Sequence, residues 1–309
     1  MTMKLAVVVL RNLSAGWLGT YGNEWVATPN LDRLAAGGTV FERHIAEYTD
    51  GQSDSYASLE KRFAEISIRA FDDLVPPWEV PAEVFASYAE EFPEESLAPV
   101  TDPVMGPFNR DDMVAWDALR CSYAAVLTRM DAKLGKLFEE LRGQIIVVTA
   151  DRGFPLGEHG IVGDSRPHVE LVHLPLIVRL PDGSGAGERV DAFTQPSDVA
   201  EAIARTFGIP MRTEGDSREP SEIWTNFRNL SQPVAITRDA AGVATAIRTD
   251  EWTCLLPLSG EINTYFQVTS AKLYAFPDDR REQDDLAGRQ PESVDALARM
   301  VGPVDDYSN

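Results

Sequence analysis

The pattern of apolar and polar positions along the chain predicts alternating strands and helices. Residues 145–149 (IIVVT) form a short β-branched run between a helix-like segment and a glycine-rich one. A run of this length and composition predicts a strand buried on both faces, as in a parallel sheet. Residues 4–10 (KLAVVVL) read the same way and predict the first strand. Thr28 followed by Pro29 predicts a helix start, with Thr28 as N-cap, Asp32 in the first turn and Gly37-Gly38 as the stop. Thr39-Val40-Phe41 begins another extended piece. The clearest helix spans 111–142, where Met130, Leu134, Leu137, Phe138 and Leu141 recur at helical spacing on a core-packing face. Gly143 then feeds the central strand, and helix, tight turn, strand is the α/β unit.

The remaining segments fill in this frame. Residues 47–55 are polar and turn-rich, and 56–70 read as a helix. Residues 71–110, with many prolines and the acids Glu90, Glu91, Glu94 and Glu95, read as an irregular surface excursion. Residues 174–180 predict a strand, 183–187 a surface loop, and 197–207 a helix capped by Ser197 and stopped by Gly208. A polar stretch at 211–221 marks a boundary. Short strands at 234–237, 243–248, 252–257 and 265–268 then predict an antiparallel sheet, and 290–300 a closing helix. The expected organisation is an α/β domain over 1–215, with a mostly parallel sheet flanked by helices, and a small C-terminal α+β subdomain over 216–309 packed on it.

Composition narrows the function classes. The chain has 309 residues, 44% of them hydrophobic, and a formal net charge of −21. So acidic a surface repels phosphate backbones, which argues against nucleic acid as a partner. No apolar run reaches the length of a membrane span, so no membrane role is expected. Leu5–Leu10 ends at Arg11 without a small-residue cleavage pattern, so we read it as a buried strand and the protein as cytoplasmic. Cys121 and Cys254 belong to no CxxC pair; a single bridge between them stays open.

Ligands in open α/β sheets bind beyond the carboxyl ends of the strands. Asp151 stands at such an end, followed by Gly153 and by Gly157-Glu158-His159-Gly160. His159 with Glu158 is a candidate anion contact or acid/base pair. His44, His159, His168 and His173 give only a non-specific signal for metal, since His168 and His173 lack helical i,i+4 spacing, and the set reads as structural or surface residues. Ser53 is a weak nucleophile candidate; loop hydrogen bonding is its expected role.

Several of these blocks resemble a known family. Leu18-Gly19-Thr20-Tyr21-Gly22-Asn23, Thr28-Pro29-Asn30-Leu31-Asp32-Arg33-Leu34-Ala35 and Gly38-Thr39-Val40-Phe41 are similar to the opening of the sulfatases of the alkaline phosphatase superfamily. Val147-Val148-Thr149-Ala150-Asp151-Arg152-Gly153, Leu156-Gly157-Glu158-His159-Gly160 and Leu174-Pro175-Leu176-Ile177-Val178-Arg179 resemble its second block. Lys272-Leu273-Tyr274-Ala275-Phe276-Pro277-Asp278-Asp279 with Asp285-Leu286-Ala287 resembles its C-terminal block.

The resemblance implies an alkaline-phosphatase-like fold and a sulfate ester hydrolase, holding a divalent cation such as calcium or magnesium with oxygen ligands. At the reactive positions this chain departs from the family. Two adjacent acids after strand one are Arg11 and Asn12, and the ligand after Asp151 is Arg152. The nucleophile position is Gln52, an arginine position is Tyr56, and a lysine position is Asp164. Asn12 and Asp151 remain as possible metal ligands, whereas arginine offers no lone pair. The expectation is a sulfatase-like protein that has lost metal-dependent hydrolysis, needs no cofactor, and now binds or scaffolds, through a homo-oligomer or a protein partner. On this expectation Arg11 and Arg152 occupy the cation's place beside Asp151. The alternative is an active sulfuric or phosphoric ester hydrolase with a rearranged site using Asp151, Asn12, His159 and Ser53.

Overall fold

A computed structural model describes residues 3–51, 60–61, 64–92, 96–163, 166–208, 224, 233–239, 242, 244–257 and 270–301. Its body is one mixed sheet in the order β3-β1-β5-β8-β2-β7, with β9 also pairing β2. The strands are β1 (Leu5–Leu10), β2 (Thr39–Ile45), β3 (Ile66–Phe71), β5 (Ile145–Thr149), β7 (His173–Leu174), β8 (Leu176–Arg179) and β9 (Glu188–Thr194). A two-stranded ribbon of β4 (Gly106–Pro107) and β6 (Ile161–Val162) lies apart from it. β1 pairs in parallel with β3 and β5, and β2 with β9, while β8 and the short β7 run the other way.

Both faces of the central strands are covered, as their apolar runs require. Ala6, Val8, Ile146 and Val148 pack on one side with Leu127, Met130 and Leu134 of α3 (Met113–Glu140) and with Leu31 and Leu34 of α1 (Pro29–Ala36). Leu5, Val7, Ile145 and Val147 pack on the other with Val199 and Ile203 of α5 (Pro196–Thr206). Asp131 of α3, buried, accepts from Asn30 N (3.0 Å) and Leu31 N (2.8 Å) and so caps α1. Thr28 makes no capping bond; its hydroxyl donates to Asp32 instead.

The C-terminal sheet is antiparallel in the order β10-β11-β12-β13: Ala235–Arg238, Ala244–Arg248, Trp252–Pro257 and Lys272–Ala275. Helix α6 (Pro291–Val301) covers one face through Leu297, against Ile247, Cys254 and Leu273. The sheet is tied to the end of β2, where Arg238 N donates to Glu47 O (2.8 Å) and Thr237 Oγ1 to Ala46 O (2.7 Å).

Several expectations change. Residues 66–71 are the edge strand β3, not the end of the helix expected over 56–70, and 56–59 and 62–63 of that stretch lie outside the described residues. The 174–180 strand is broken at Pro175, which has no N–H for a ladder. Gln195, with Asp198, caps α5 in place of Ser197. The 71–110 segment contains α2 (Ala82–Ala89) and sends Leu74, Trp78, Phe85 and Tyr88 into the core, so it is part of the domain and not a surface excursion. Strand β9 appears where no element was expected, and β13 is the fourth strand of the small sheet. The strand expected at 265–268 and the boundary at 215 lie outside the described residues. Cys121 and Cys254 are buried and not joined by a disulfide. Among the described residues no helix is long and apolar enough to cross a membrane.

Candidate functional site

The parallel arrangement brings the ends of β1 and β5 to one edge, which places Asn12 against Asp151. Asn12 is buried and sits in the left-handed region at φ 62°, which asparagine tolerates better than most residues. Each of its polar groups is engaged. Its N–H donates to Asp151 Oδ1 at 3.0 Å, and its Nδ2 donates to Leu74 O at 3.3 Å. Its carbonyl accepts from Tyr123 Oη at 2.7 Å, and its Oδ1 accepts from Arg152 Nε at 3.2 Å.

Asp151 Oδ1 accepts a second bond from Arg152 N at 2.6 Å, while Oδ2 faces Arg11 Nε at 3.9 Å. Arg11 lies closer to Asp72, at 3.3 Å. Burial raises the Asp151 carboxyl above the usual range, and the Asn12 and Arg152 N–H bonds and the two guanidinium charges only partly offset it. The structure therefore brings Arg11, Asn12, Asp151 and Arg152 together. Arg152 reaches Asn12 with its side chain and Asp151 with its backbone. Gly51, at φ 71°, brings the chain after β2 against Asp151; a Cβ there would lie 3.2 Å from the Asp151 Cβ. The next residues, Gln52, Ser53 and Tyr56, lie outside the described residues, as does Asp164.

His159 falls in a second cluster, apart from Asp151. It too has a left-handed backbone, at φ 54°. Its ring stacks on His168 with centroids 3.8 Å apart, and its Nε2 lies 3.3 Å from Glu170 Oε2. His168 Nδ1 lies 2.6 Å from Glu282 Oε2, and Arg248 Nη2 donates to Glu282 Oε1 at 2.8 Å. Burial would lower the His159 pKa, but Glu170, Glu282 and Glu158 together more than offset it and the net shift is upward. Burial lowers His168. Glu158 Oε2 accepts from Leu156 N, and burial raises its carboxyl. His44 and His173 are packed elsewhere, on Thr194 Oγ1 (3.0 Å) and Glu42 O (2.8 Å). Glu282 and Arg248 went unrecognised in sequence because 114 residues separate Glu282 from His168.

A cleft of about 1080 Å³ opens beside this cluster, between the body and the C-terminal sheet. Arg43, Arg120, Arg248 and Arg280 line it together with Trp25 and Trp116. Its walls include Glu170 and Glu282 but none of Arg11, Asn12, Asp151 and Arg152.

Comparison with known proteins agrees with this architecture. The family model described as Sulfatase matches residues 75–209. An N-acetylglucosamine-6-O-sulfatase of Bacteroides thetaiotaomicron is 33% identical over 106 residues, 32% of this chain and 19% of that protein. The multifunctional alkaline phosphatase superfamily protein PehA of Trinickia caryophylli is 29% identical over 111 residues, 33% of this chain and 22% of that protein. The matched stretches thus span about a fifth of these curated relatives. The crystal structure of a phosphonate monoester hydrolase of Agrobacterium radiobacter superposes with a TM-score of 0.64 at 14% identity, covering 97% of this chain and 95% of that one. At that identity the likeness is one of fold.

Proposed function

We propose that this chain, a member of the sulfatase family of the alkaline phosphatase superfamily, has exchanged metal-dependent ester hydrolysis for a binding or scaffolding role. The observation that carries the reading is the contact of Arg152 Nε with Asn12 Oδ1. The oxygens that a hard cation would need after β1 and β5 are held by N–H donors. Asn12 Oδ1 takes a guanidinium, Asp151 Oδ1 takes two backbone N–H groups, and Asp151 Oδ2 faces Arg11. One carboxylate and one amide beside two permanent cations do not fit a divalent ion that takes six or more oxygens. Gln52 at the nucleophile position supports the same reading, since an amide cannot attack an ester.

The retained cleft supports binding. Its tryptophans suit a sugar face or other flat apolar surface, while Arg43, Arg120 and Arg248 are each paired with an acid, which leaves an anionic group to compete for them. The partner on this reading is a second copy of the chain or another protein, which light scattering on the purified protein tests directly. We place the protein in the cytoplasm, where its two buried thiols stay reduced, and cell fractionation checks this.

The deciding experiment is an assay against aryl sulfate and aryl phosphate with calcium, magnesium, manganese and zinc in turn. The expected result is no turnover above the metal-only background, together with saturable binding of N-acetylglucosamine 6-sulfate, a probe chosen from the relative's name. Turnover abolished by Asp151→Ala would overturn the reading in favour of a rearranged hydrolase.

A further inference from the structure

We propose that His159, His168 and Glu282 form a binding site for a divalent transition metal such as zinc. One ligand atom from each residue lies within 4.8 Å of the others. The site is separate from Asn12 and Asp151, and its chemistry is different. Two imidazole nitrogens and a carboxylate form a borderline donor set, suited to zinc, cobalt or manganese and poorly to calcium.

Two further observations point to an absent ligand. First, His159 Nε2 and Glu170 Oε2 are both buried and lack a hydrogen-bond partner, although they lie 3.3 Å apart. His159 therefore keeps a buried ring nitrogen with no hydrogen bond to satisfy it. Second, the described residues include three non-glycine positions with positive φ, and His159 (54°) and Glu282 (53°) are two of them. Backbone held in that region costs energy and persists where something over-determines it.

Arg248 is the obvious objection, since it binds the same carboxylate. It takes Oε1 at 2.8 Å, however, and its other bond goes to Pro167 O at 2.7 Å, so Oε2 remains on the His168 side. That is the place of an orienting outer partner of a ligating carboxylate. The three ligands come from the 158–160 turn, the residue before the one-turn helix α4 (Val169–Val172), and the C-terminal segment. A bound ion would therefore tie the small sheet's segment to the α/β body.

The test is elemental analysis of the whole protein purified without chelator, followed by cobalt titration of EDTA-treated protein. The expected result is one equivalent of metal, a tetrahedral cobalt absorption band, and a chelator-reversible rise in Tm. His168→Gln should abolish the cobalt band and the rise while leaving the melting of the metal-free protein within a few degrees of wild type. Asp151→Ala should retain the band, which separates this site from the edge of β1 and β5 whatever the outcome of the hydrolysis assays. Absence of stoichiometric metal and of a cobalt band in the wild-type protein would overturn the proposal. So would a band that survives both His168→Gln and Glu282→Gln.

Discussion

Replacing Asp151 by alanine separates a surviving structural acid from a working metal ligand. The substitution deletes the acceptor for Asn12 N at 3.0 Å and Arg152 N at 2.6 Å. The Asn12 N–H is buried, so its loss carries a desolvation cost of about 1–3 kcal/mol. The Asp151 side chain is 23% exposed, so water recovers part of the second bond. The sum is about 2–4 kcal/mol, read as a Tm lowered by several degrees. Asp151→Asn keeps a carbonyl oxygen for the same two donors and should cost less than about 1 kcal/mol. Burial raises the Asp151 carboxyl in the folded state, so any stability the acid adds is present below the ordinary carboxylate pKa and is lost as pH rises through the raised folded value. Wild type should therefore gain on Asp151→Asn as pH falls from neutral towards about 4. The assay is urea denaturation of the three proteins across that range, with EDTA and again with magnesium or calcium. The gap between wild type and Asp151→Ala should be the same in both. A gap that collapses in EDTA, or an alanine variant as stable as wild type, would refute the reasoning.

Three other perturbations probe the frame that holds the site. Asp131→Ala removes the acceptor for Asn30 N, Asn30 Nδ2 and Leu31 N at a buried helix start, and should cost about 3–5 kcal/mol by denaturant unfolding. Gly153→Ala would set a Cβ 2.0 Å from Glu170 O and displace the Gly153 N to Leu171 O bond; a loss of about 3 kcal/mol or more is expected, read as poor soluble yield or a collapsed Tm. Burial, helped by His173, lowers His44 to about 3, so the folded state resists its protonation. That stability is present above about pH 6.5 and falls away by about 1.4 kcal/mol per pH unit as pH drops towards the folded value. His44→Gln keeps an acceptor or donor for Thr194 and should flatten this slope in urea melts between pH 6.5 and 4; an unchanged slope counts against it.

How much of the fold was legible depends on what each segment touches. β1 and β5 were plain because both faces are buried, which leaves an unbroken apolar run. α3 was plain because its core face repeats over many turns. β3 was hidden because it is an edge strand with only Ile66 fully buried, so its sequence carries no strong alternation. β9 was hidden behind a glycine-rich loop and the charges of Glu188, Arg189 and Asp191, and a bulge sends its buried Val190 and Phe193 into the cores on opposite faces, which breaks the alternation. The 71–110 segment misled through its many prolines and acids, while Leu74, Trp78 and Phe85 hold it to the core.

The site divides along a similar line. Strand order alone predicts that residues after β1 and β5 meet, so Asn12 and Asp151 were legible as neighbours before any geometry was known. The role of each arginine was not. Arg152 follows Asp151 in the chain and the pairing of β1 with β5 brings Arg11 beside it, but backbone conformation divides the two. The left-handed turn at Asn12 aims its N–H at Asp151 and its amide oxygen at Arg152, while Arg11 is left to share Asp72 with Asp151. The histidine cluster was illegible for a stronger reason. His168 and Glu282 meet only because the segment after β13 folds back onto the body, and no local period encodes a contact across 114 residues. A pair of acids or amides at strand ends can be read from topology, whereas ligands gathered from a loop and a returning C-terminal segment need coordinates.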